Sequence, residues 1–105
     1  MKIKGRVAIV TGGGRGIGKA IAIKLAEEGV HVVVASTSLE PAVQVVKEVE
    51  ARGCKGLAIQ TDVSKFDDVK RAVAKTIEQF GQIDILVNNA GGSARSKMSL
   101  FCDSE

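Results

Sequence analysis

Residues 6–18 read RVAIVTGGGRGIG, an apolar segment followed directly by a cluster of glycines. Residues 7–10 form a short continuous apolar run, which is typical of a strand covered on both faces, as in a parallel sheet. Residues 17–28 carry apolar side chains at helical spacing and end before Gly29, where a helix C-cap is expected. The glycines therefore lie at a turn between a strand and a helix.

This turn is suited to hold an anion. A glycine backbone turns sharply and allows a close approach, and the N–H groups of the first helical turn favour negative charge. The spacing Gly12-x-x-x-Gly16-x-Gly18 is one such phosphate-approaching turn, and it differs from the P-loop because no Lys-Ser or Lys-Thr pair closes it. Taken alone, the glycine cluster is weak evidence, and a plain tight turn is the alternative.

The chain after Gly29 continues to alternate strands with helices. We predict strands at residues 31–35, 55–60 and 83–87, each an apolar run bounded by turn residues. A second helix has Pro41 in its first turn and ends at Gly53. A third begins at residues 64–67, which resemble a capping box, and stops at Gly81. The residues from 93 onward are polar and are predicted to be irregular.

This order predicts an α/β fold with a doubly wound parallel sheet and the strand order 3-2-1-4. The first two helices cover one face and the third covers the other. Ligands of such sheets bind beyond the carboxyl ends of the strands, where the strand order reverses. The segments that converge there are the glycine turn, residues 36–38, the pair Asp62 and Val63, and residues 88–91. This convergence predicts a dinucleotide site.

Composition narrows the function classes. The 105 residues have 45% hydrophobic and 26% charged content with a net charge of +3, which is ordinary for one small globular domain. Without a basic run or interleaved aromatic residues, nucleic-acid binding has no support, and the apolar runs are too short to span a membrane. Cys54 and Cys102 have no metal-ligand spacing, so we expect free thiols, no metal site and a cytoplasmic protein.

With these motifs in place, the chain resembles the short-chain dehydrogenase/reductase family up to about Gly92. Residues 11–18 match the cofactor motif Thr-Gly-x-x-x-Gly-x-Gly, and residues 88–91 match the Asn-Asn-Ala-Gly signature after the fourth strand. Asp62 and Val63 match the pair that contacts adenine. The subgroup that looks nearest is the 3-oxoacyl-carrier-protein reductases, although other alcohol dehydrogenases of the family share this half of the fold.

The resemblance implies the residues that hold the cofactor. Gly16 and Gly18 would lie under the pyrophosphate, Asp62 would accept a hydrogen bond from the adenine amino group, and Val63 would lie against the ring. Asn88 is expected to be structural and to bridge the central strands. The predicted cofactor-binding residues are Gly12, Gly14, Arg15, Gly16, Ile17, Gly18, Ser36, Thr37, Ser38, Asp62, Val63, Asn89, Ala90 and Gly91.

Charge at the end of the second strand favours NADP over NAD. Enzymes of this fold that use NAD place an acid there for the ribose 2′-hydroxyl, whereas those that use NADP place a cation or neutral donors for the 2′-phosphate. Here the position is Ser36, followed by Thr37 and Ser38, and Arg15 of the glycine turn is at the same corner in NADP-binding relatives. In the alternative interpretation, Arg15 only solvates the turn and the three hydroxyl residues only cap the next helix.

The family's catalysis depends on a Ser, a Tyr and a Lys, with the tyrosine as general acid or base. This sequence contains no tyrosine, so no catalytic residue is assigned, and the chain alone is expected to be inactive. We expect residues 1–105 to be an incomplete cofactor-binding domain, whose fourth strand would be an open edge. The full reductase would be a homo-oligomer that acts on a small carbonyl or acyl-thioester substrate. The alternative is a non-catalytic dinucleotide-binding or assembly module complete at 105 residues.

Overall fold

The computed structural model describes residues 3–12, 14, 16–89 and 99–102. In chain order its elements are β1 (Val7–Thr11), α1 (Gly16–Glu27), β2 (His31–Ser36), α2 (Leu39–Ala51), β3 (Gly56–Gln60), α3 (Phe66–Phe80), β4 (Ile85–Asn88) and β5 (Ser99–Cys102). The strands form one sheet in the order β3-β2-β1-β4-β5. The predicted α/β fold and the predicted order 3-2-1-4 are therefore confirmed.

Strand β1 is the centre of the parallel part of the sheet. It pairs in parallel with β2, where Val7 lies opposite His31, and in parallel with β4, where Ala8 lies opposite Ile85. Strand β2 pairs in parallel with β3 on its other side. The carboxyl ends of these strands consequently lie along one edge of the sheet.

The last strand differs from the prediction. Residues 99–102 were expected to be irregular, but they form β5, which pairs antiparallel with β4, with Ser99 opposite Asn88. The expected open edge at β4 is therefore wrong, because the backbone of β4 is paired on both sides. The apolar and β-branched run of β4 is the ordinary composition of an interior strand.

The helices lie on the two faces as predicted. One core cluster joins α1 and α2 to the sheet, and its buried members include Ala22, Val45, Val10 and Val34. The second cluster, on the opposite face, includes Ala72 of α3. The continuous apolar composition of β1 and β2 follows from this arrangement, since both of their faces are covered.

Helix α1 contacts the sheet through small residues. The larger apolar residues of this helix are less buried, with Ile17 59% exposed and Ile21 and Leu25 partly buried. The buried residues of the helix are Gly18, Ala22 and Ala26. At Gly18 there is no room for a side chain: a Cβ would collide with the carbonyl oxygen of Gly12 and lie 2.8 Å from Asn89 Nδ2. The absence of a side chain at this position lets the helix approach the ends of β1 and β4.

Helix α3 begins one residue later than predicted and without the predicted capping box. Its N-cap is Lys65, and no side chain caps it. The Ser64 hydroxyl donates instead to Asp62 Oδ1 at 2.6 Å, so the pairing of Ser64 with Asp67 was wrong. The predicted end is confirmed, because Gly81 adopts φ +80° and donates its N–H to Ile77 O.

The apolar face of α3 is incompletely covered. Phe66 is 74% exposed, and Val73 and Ile77 are 41% and 45% exposed. A cavity of about 230 Å³ lies between this helix and the sheet. Its lining includes Val69, Val73 and Leu86. The two faces of the sheet therefore differ: α1 and α2 seal one, and α3 only partly covers the other.

Asp84 ties the amino end of β4 to that of β1. Its carboxylate accepts hydrogen bonds from the Val7 N–H at 2.9 Å, from Gln82 Nε2 at 2.6 Å and from Arg6 at 3.2 Å. Burial raises the pKa of Asp84, whereas these hydrogen bonds and the Arg6 charge lower it, and the net shift is downward from 3.8. The ionised carboxylate therefore stabilises the fold, and this stabilisation is lost as the pH falls through the lowered pKa.

We expect Asp84→Asn to lower the free energy of unfolding by about 2 kcal/mol at pH 7, because an amide cannot accept from all these donors. The difference from the unsubstituted chain should shrink from about pH 5 downward, where the carboxylate of the unfolded chain begins to protonate. Urea unfolding between pH 7 and pH 3 measures both. Glu78→Gln, an exposed acid on α3, is the control and should change stability by less than about 0.5 kcal/mol. An equal difference at pH 7 and pH 3 would contradict the charge-based account.

Gly18→Ala should lower the free energy of unfolding by about 3 kcal/mol, because the added methyl group meets backbone that can move only if α1 moves. The matched control is Gly16→Ala, where φ is +54° and no atom lies within 4 Å of the new Cβ. Its cost should be about 1 kcal/mol, from the left-handed conformation alone. Thermal and urea unfolding of both variants provides the comparison. A smaller loss for Gly18→Ala than for Gly16→Ala would contradict the close approach of α1.

Candidate functional site

A cavity of about 430 Å³ lies at the carboxyl ends of the parallel strands. Its size falls within the range of small-molecule sites. The lining residues come from the carboxyl end of β2 and from the segments that follow β1, β2, β3 and β4: Gly12, Ala35, Ser36, Thr37, Thr61, Asp62, Val63, Ser64 and Asn89. The switch point predicted from the strand order is thus a cavity in the structure.

Backbone hydrogen bonds fix the spacing of the loops around this cavity. The Gly12 N–H donates to Ala35 O at 2.8 Å, and the Thr61 N–H donates to Ser36 O at 2.8 Å. These bonds continue the parallel ladder one step beyond the strands. The loops that leave β1, β2 and β3 are consequently held side by side.

The glycine turn approaches the cavity closely. Gly12 adopts φ +65°, a conformation that side chains rarely allow. At Gly14 a Cβ would lie 3.1 Å from Pro41 Cβ and 3.3 Å from Ser36 Oγ, so the turn packs directly on the end of β2 and the first turn of α2. The first turn of α1 carries no acidic side chain, which leaves its N–H groups and dipole favourable to an anion.

Hydroxyl groups surround the end of β2. Ser36 Oγ accepts from the Ser38 N–H at 3.3 Å, and Gln60 Nε2 donates to Thr37 O at 3.0 Å. Ser38 is the N-cap of α2, but its side chain makes no capping hydrogen bond. The interpretation that residues 36–38 serve only to cap the helix is therefore not supported at Ser38.

Asp62 has a carboxylate with one oxygen engaged. Its Oδ1 accepts from the Ser64 N–H at 3.0 Å and from Ser64 Oγ at 2.6 Å. The two Ser64 hydrogen bonds hold the pKa of Asp62 below its usual value; burial opposes them, and the Lys65 charge adds a lesser lowering effect. The group is thus an ionised acceptor at neutral pH. Val63, beside it, is 39% exposed and offers an apolar surface to the cavity.

The end of β4 is anchored to β1 through Thr11. The Asn89 N–H donates to Thr11 Oγ1 at 2.9 Å, and Thr11 Oγ1 lies 3.2 Å from Asn88 Oδ1 and 3.3 Å from Val87 O. Asn88 therefore bridges the central strands, as predicted. The same contacts place Asn89 at the cavity wall.

The structure brings together part of the predicted set. The predicted residues that line the cavity are Gly12, Ser36, Thr37, Asp62, Val63 and Asn89. Gly14, Gly16, Ile17, Gly18 and Ser38 lie in the adjoining turn and helix starts and do not line it. Arg15, Ala90 and Gly91 lie outside the described residues.

Sequence reasoning missed Thr61 and Ser64 as parts of the cavity wall. A signal for Ser64 was present, because an Asp side chain in a turn commonly accepts a hydrogen bond from the main-chain N–H two residues later, and Ser64 is two residues after Asp62. The nearby Asp67 drew attention to a helix cap instead.

In the described residues, no group of His, Cys, Asp and Glu side chains could hold a metal ion. No helix in residues 3–12, 14, 16–89 and 99–102 is both long and apolar enough to cross a membrane. Cys54 is a buried free thiol whose Sγ lies 3.3 Å from Ala26 O.

The known proteins to which this chain is similar are dehydrogenases and reductases. The 3-oxoacyl-[acyl-carrier-protein] reductase of Staphylococcus epidermidis is 49% identical over 85 residues, which cover 80% of this chain and 35% of the relative. The crystal structure of a hydroxysteroid dehydrogenase from Escherichia coli superposes with a TM-score of 0.83 at 40% identity, covering 87% of this chain and 39% of that one. A short chain dehydrogenase from Mycobacterium paratuberculosis, bound to NAD, gives a TM-score of 0.83 at 31% identity, covering 90% and 40%.

The similarity covers nearly all of this chain but only part of each relative, since the chain spans 35% of the length of the Staphylococcus reductase. The family model described as short chain dehydrogenase matches residues 6–105, which include every strand and helix described above. The chain therefore belongs to the short-chain dehydrogenase family of oxidoreductases and resembles the 3-oxoacyl-carrier-protein reductases within it.

Proposed function

We propose that the chain binds a nicotinamide adenine dinucleotide, with the adenosine part in the 430 Å³ cavity. The observation that carries this proposal is the meeting of four strand ends around a cavity that holds an ionised carboxylate, an apolar side chain and a close glycine turn. These groups suit an amino-bearing purine, its ring face and a pyrophosphate, in that order. The residues present therefore fit the cofactor that the family uses.

Each part of the cofactor has residues suited to it. The turn would hold the pyrophosphate, since glycine lets the anion come close to the backbone and the N–H groups of the first turn of α1 favour negative charge. Its residues are Gly12, Gly14, Gly16, Ile17 and Gly18. Asp62 would accept from the adenine amino group with Val63 against the ring. By family resemblance, Asn89, Ala90 and Gly91 would border the adenosine ribose.

We propose NADP as the preferred form of the cofactor. Ser36, Thr37 and Ser38 place neutral hydroxyl groups where NAD enzymes place an acid, and Arg15 supplies a cation from the glycine turn. The Ser38 side chain makes no capping bond, which leaves its hydroxyl available for a phosphate oxygen. The Mycobacterium neighbour is bound to NAD, so NAD is the alternative that an experiment must separate.

The reaction we propose is hydride transfer between NADPH and a carbonyl or alcohol, with a 3-oxoacyl thioester as one candidate substrate because of the similarity to the Staphylococcus reductase. The bound nicotinamide would supply the hydride, and the residues of this chain would bind and orient the cofactor. The sequence has no tyrosine for the family's acid-base step, so the chain would act as the cofactor-binding part of the enzyme, residues 1–105.

The second candidate is a non-catalytic dinucleotide-binding or assembly module, because the same cavity would serve a protein that binds the dinucleotide without reacting it. We propose in either case a cytoplasmic protein. The enzyme would be a homo-oligomer with a small-molecule or acyl-thioester substrate. The intact mass of the native gene product separates the two candidates, because a mass well above 11.0 kDa supports the enzyme and a mass of 11.0 kDa supports the module.

Binding of NADPH and NADH to the chain, measured by calorimetry, tests the cofactor proposal. NADPH should bind roughly tenfold more tightly, since one charge-assisted hydrogen bond to the 2′-phosphate has about that worth. Arg15→Ala should remove most of this preference. Lys24→Ala is the matched control, because it removes the same charge from the other end of α1 and should preserve the preference.

The outcomes distinguish a failure of the NADP preference from a failure of dinucleotide binding itself. Equal affinities for NADPH and NADH in the unsubstituted chain would overturn the NADP preference, and retention of the preference in Arg15→Ala would overturn the role of Arg15. Failure of the folded chain to bind either dinucleotide would overturn the cavity as the cofactor site.

A further inference from the structure

The loop that carries Asp62 is held in place by two side chains that the family motifs do not include. Asp68 is the third residue of α3, and its Oδ2 accepts a hydrogen bond from the Asp62 main-chain N–H at 2.9 Å. In an ordinary capping box the third helical residue reaches back to the N-cap. Here it reaches past the N-cap, Lys65, to a residue of the cavity wall.

Ser64 holds the side chain of the same residue. Its N–H and its hydroxyl both donate to Asp62 Oδ1, and the 2.6 Å distance to the hydroxyl is typical of a hydrogen bond to a charged acceptor. A main-chain bond from Lys65 N–H to Asp62 O at 2.9 Å completes the turn. Asp62 is thus fixed at its N–H, its carbonyl oxygen and one carboxylate oxygen.

The second carboxylate oxygen of Asp62, Oδ2, is not used in these contacts. No hydrogen bond joins Oδ2 to any residue in the described part of the chain, and Asp62 itself lines the cavity. A rigid, ionised oxygen at a cavity wall accepts from an amino group and repels a carbonyl oxygen. A purine that carries a carbonyl in place of the amino group would leave this charge unpaired, and a site built for one hydrogen-bonding pattern discriminates strongly against its absence.

We propose that Ser64 and Asp68 are positioning residues, which hold Asp62 so that the site selects adenine over hypoxanthine by the amino group at C6. This inference rests on the proposed binding of a dinucleotide. Asp67, adjacent in sequence to Asp68, makes no hydrogen bond to Asp62 and has no part in this arrangement. We therefore ascribe the holding of Asp62 to the hydrogen bond that Asp68 makes, and not to the acidic charge of the first turn of α3.

The test compares the affinities of the chain for NADPH and for its deamino form, in which hypoxanthine replaces adenine, by calorimetry. The unsubstituted chain should bind NADPH roughly tenfold more tightly, which is the worth of one hydrogen bond to a charged group. Asp68→Ala should reduce this ratio to roughly threefold or less, because the loop loses its main-chain anchor. Asp68→Asn should restore the ratio, since its amide oxygen still accepts from the Asp62 N–H.

Asp67→Ala is the matched control and should keep the full ratio. Ser64→Ala is a second test that removes only an exposed hydroxyl, so it decides the matter if Asp68→Ala does not fold, and it too should lower the ratio. The ratio is the decisive readout, because a general loss of stability weakens both dinucleotides alike.

A full ratio in folded Asp68→Ala and Ser64→Ala, with NADPH still bound, would overturn the positioning role and leave the proposed function intact. An equal affinity of the unsubstituted chain for the two dinucleotides would overturn the selection of adenine by Asp62. Absence of binding to either would overturn the proposed function and this inference together.

Discussion

Strand β1 pairs in parallel with both β2 and β4, and the positions of the helices and of the cavity follow from this pairing. Parallel strands end at the same edge of the sheet, so the pairing alone brings together the segments after β1, β2, β3 and β4. The bonds from Gly12 N–H to Ala35 O and from Thr61 N–H to Ser36 O then carry the ladder into those segments. The cavity consequently lies directly beyond the carboxyl ends of the strands, and its walls are held by the same backbone pairing as the sheet.

The second constraint is the close approach of α1. A buried line of small residues, Gly18, Ala22 and Ala26, brings the helix against the sheet, and its first turn against the Gly12 carbonyl. The cost of this approach is intolerance of a side chain at Gly18. Its gain is that helix N–H groups and the turn after β1 face the same region, which is the requirement for holding a phosphate.

Two carboxylates at opposite ends of the sheet show how the surroundings decide the role of a residue type. Asp84, at the amino end of β4, accepts from a main-chain N–H and two side chains, and those bonds join β4 to β1. Asp62, beyond the carboxyl end of β3, keeps one oxygen without a bond in the described residues while Ser64 engages the other. The first carboxylate, Asp84, therefore stabilises the fold, and the second, Asp62, is suited to accept a hydrogen bond from a ligand in the cavity.

Local periodicity, glycine turns and the handedness of parallel connections were enough to predict the alternation of strands and helices, the strand order and the segments that meet at the switch point. The predictions for β5 and for the start of α3 were wrong. The pairing of residues 99–102 with β4 and the bond from the Asp62 N–H to Asp68 are decided by what lies nearby in space. Only the tertiary structure could also show that Phe66 is exposed and that Gly18 has no room for a side chain, since burial depends on which elements pack together.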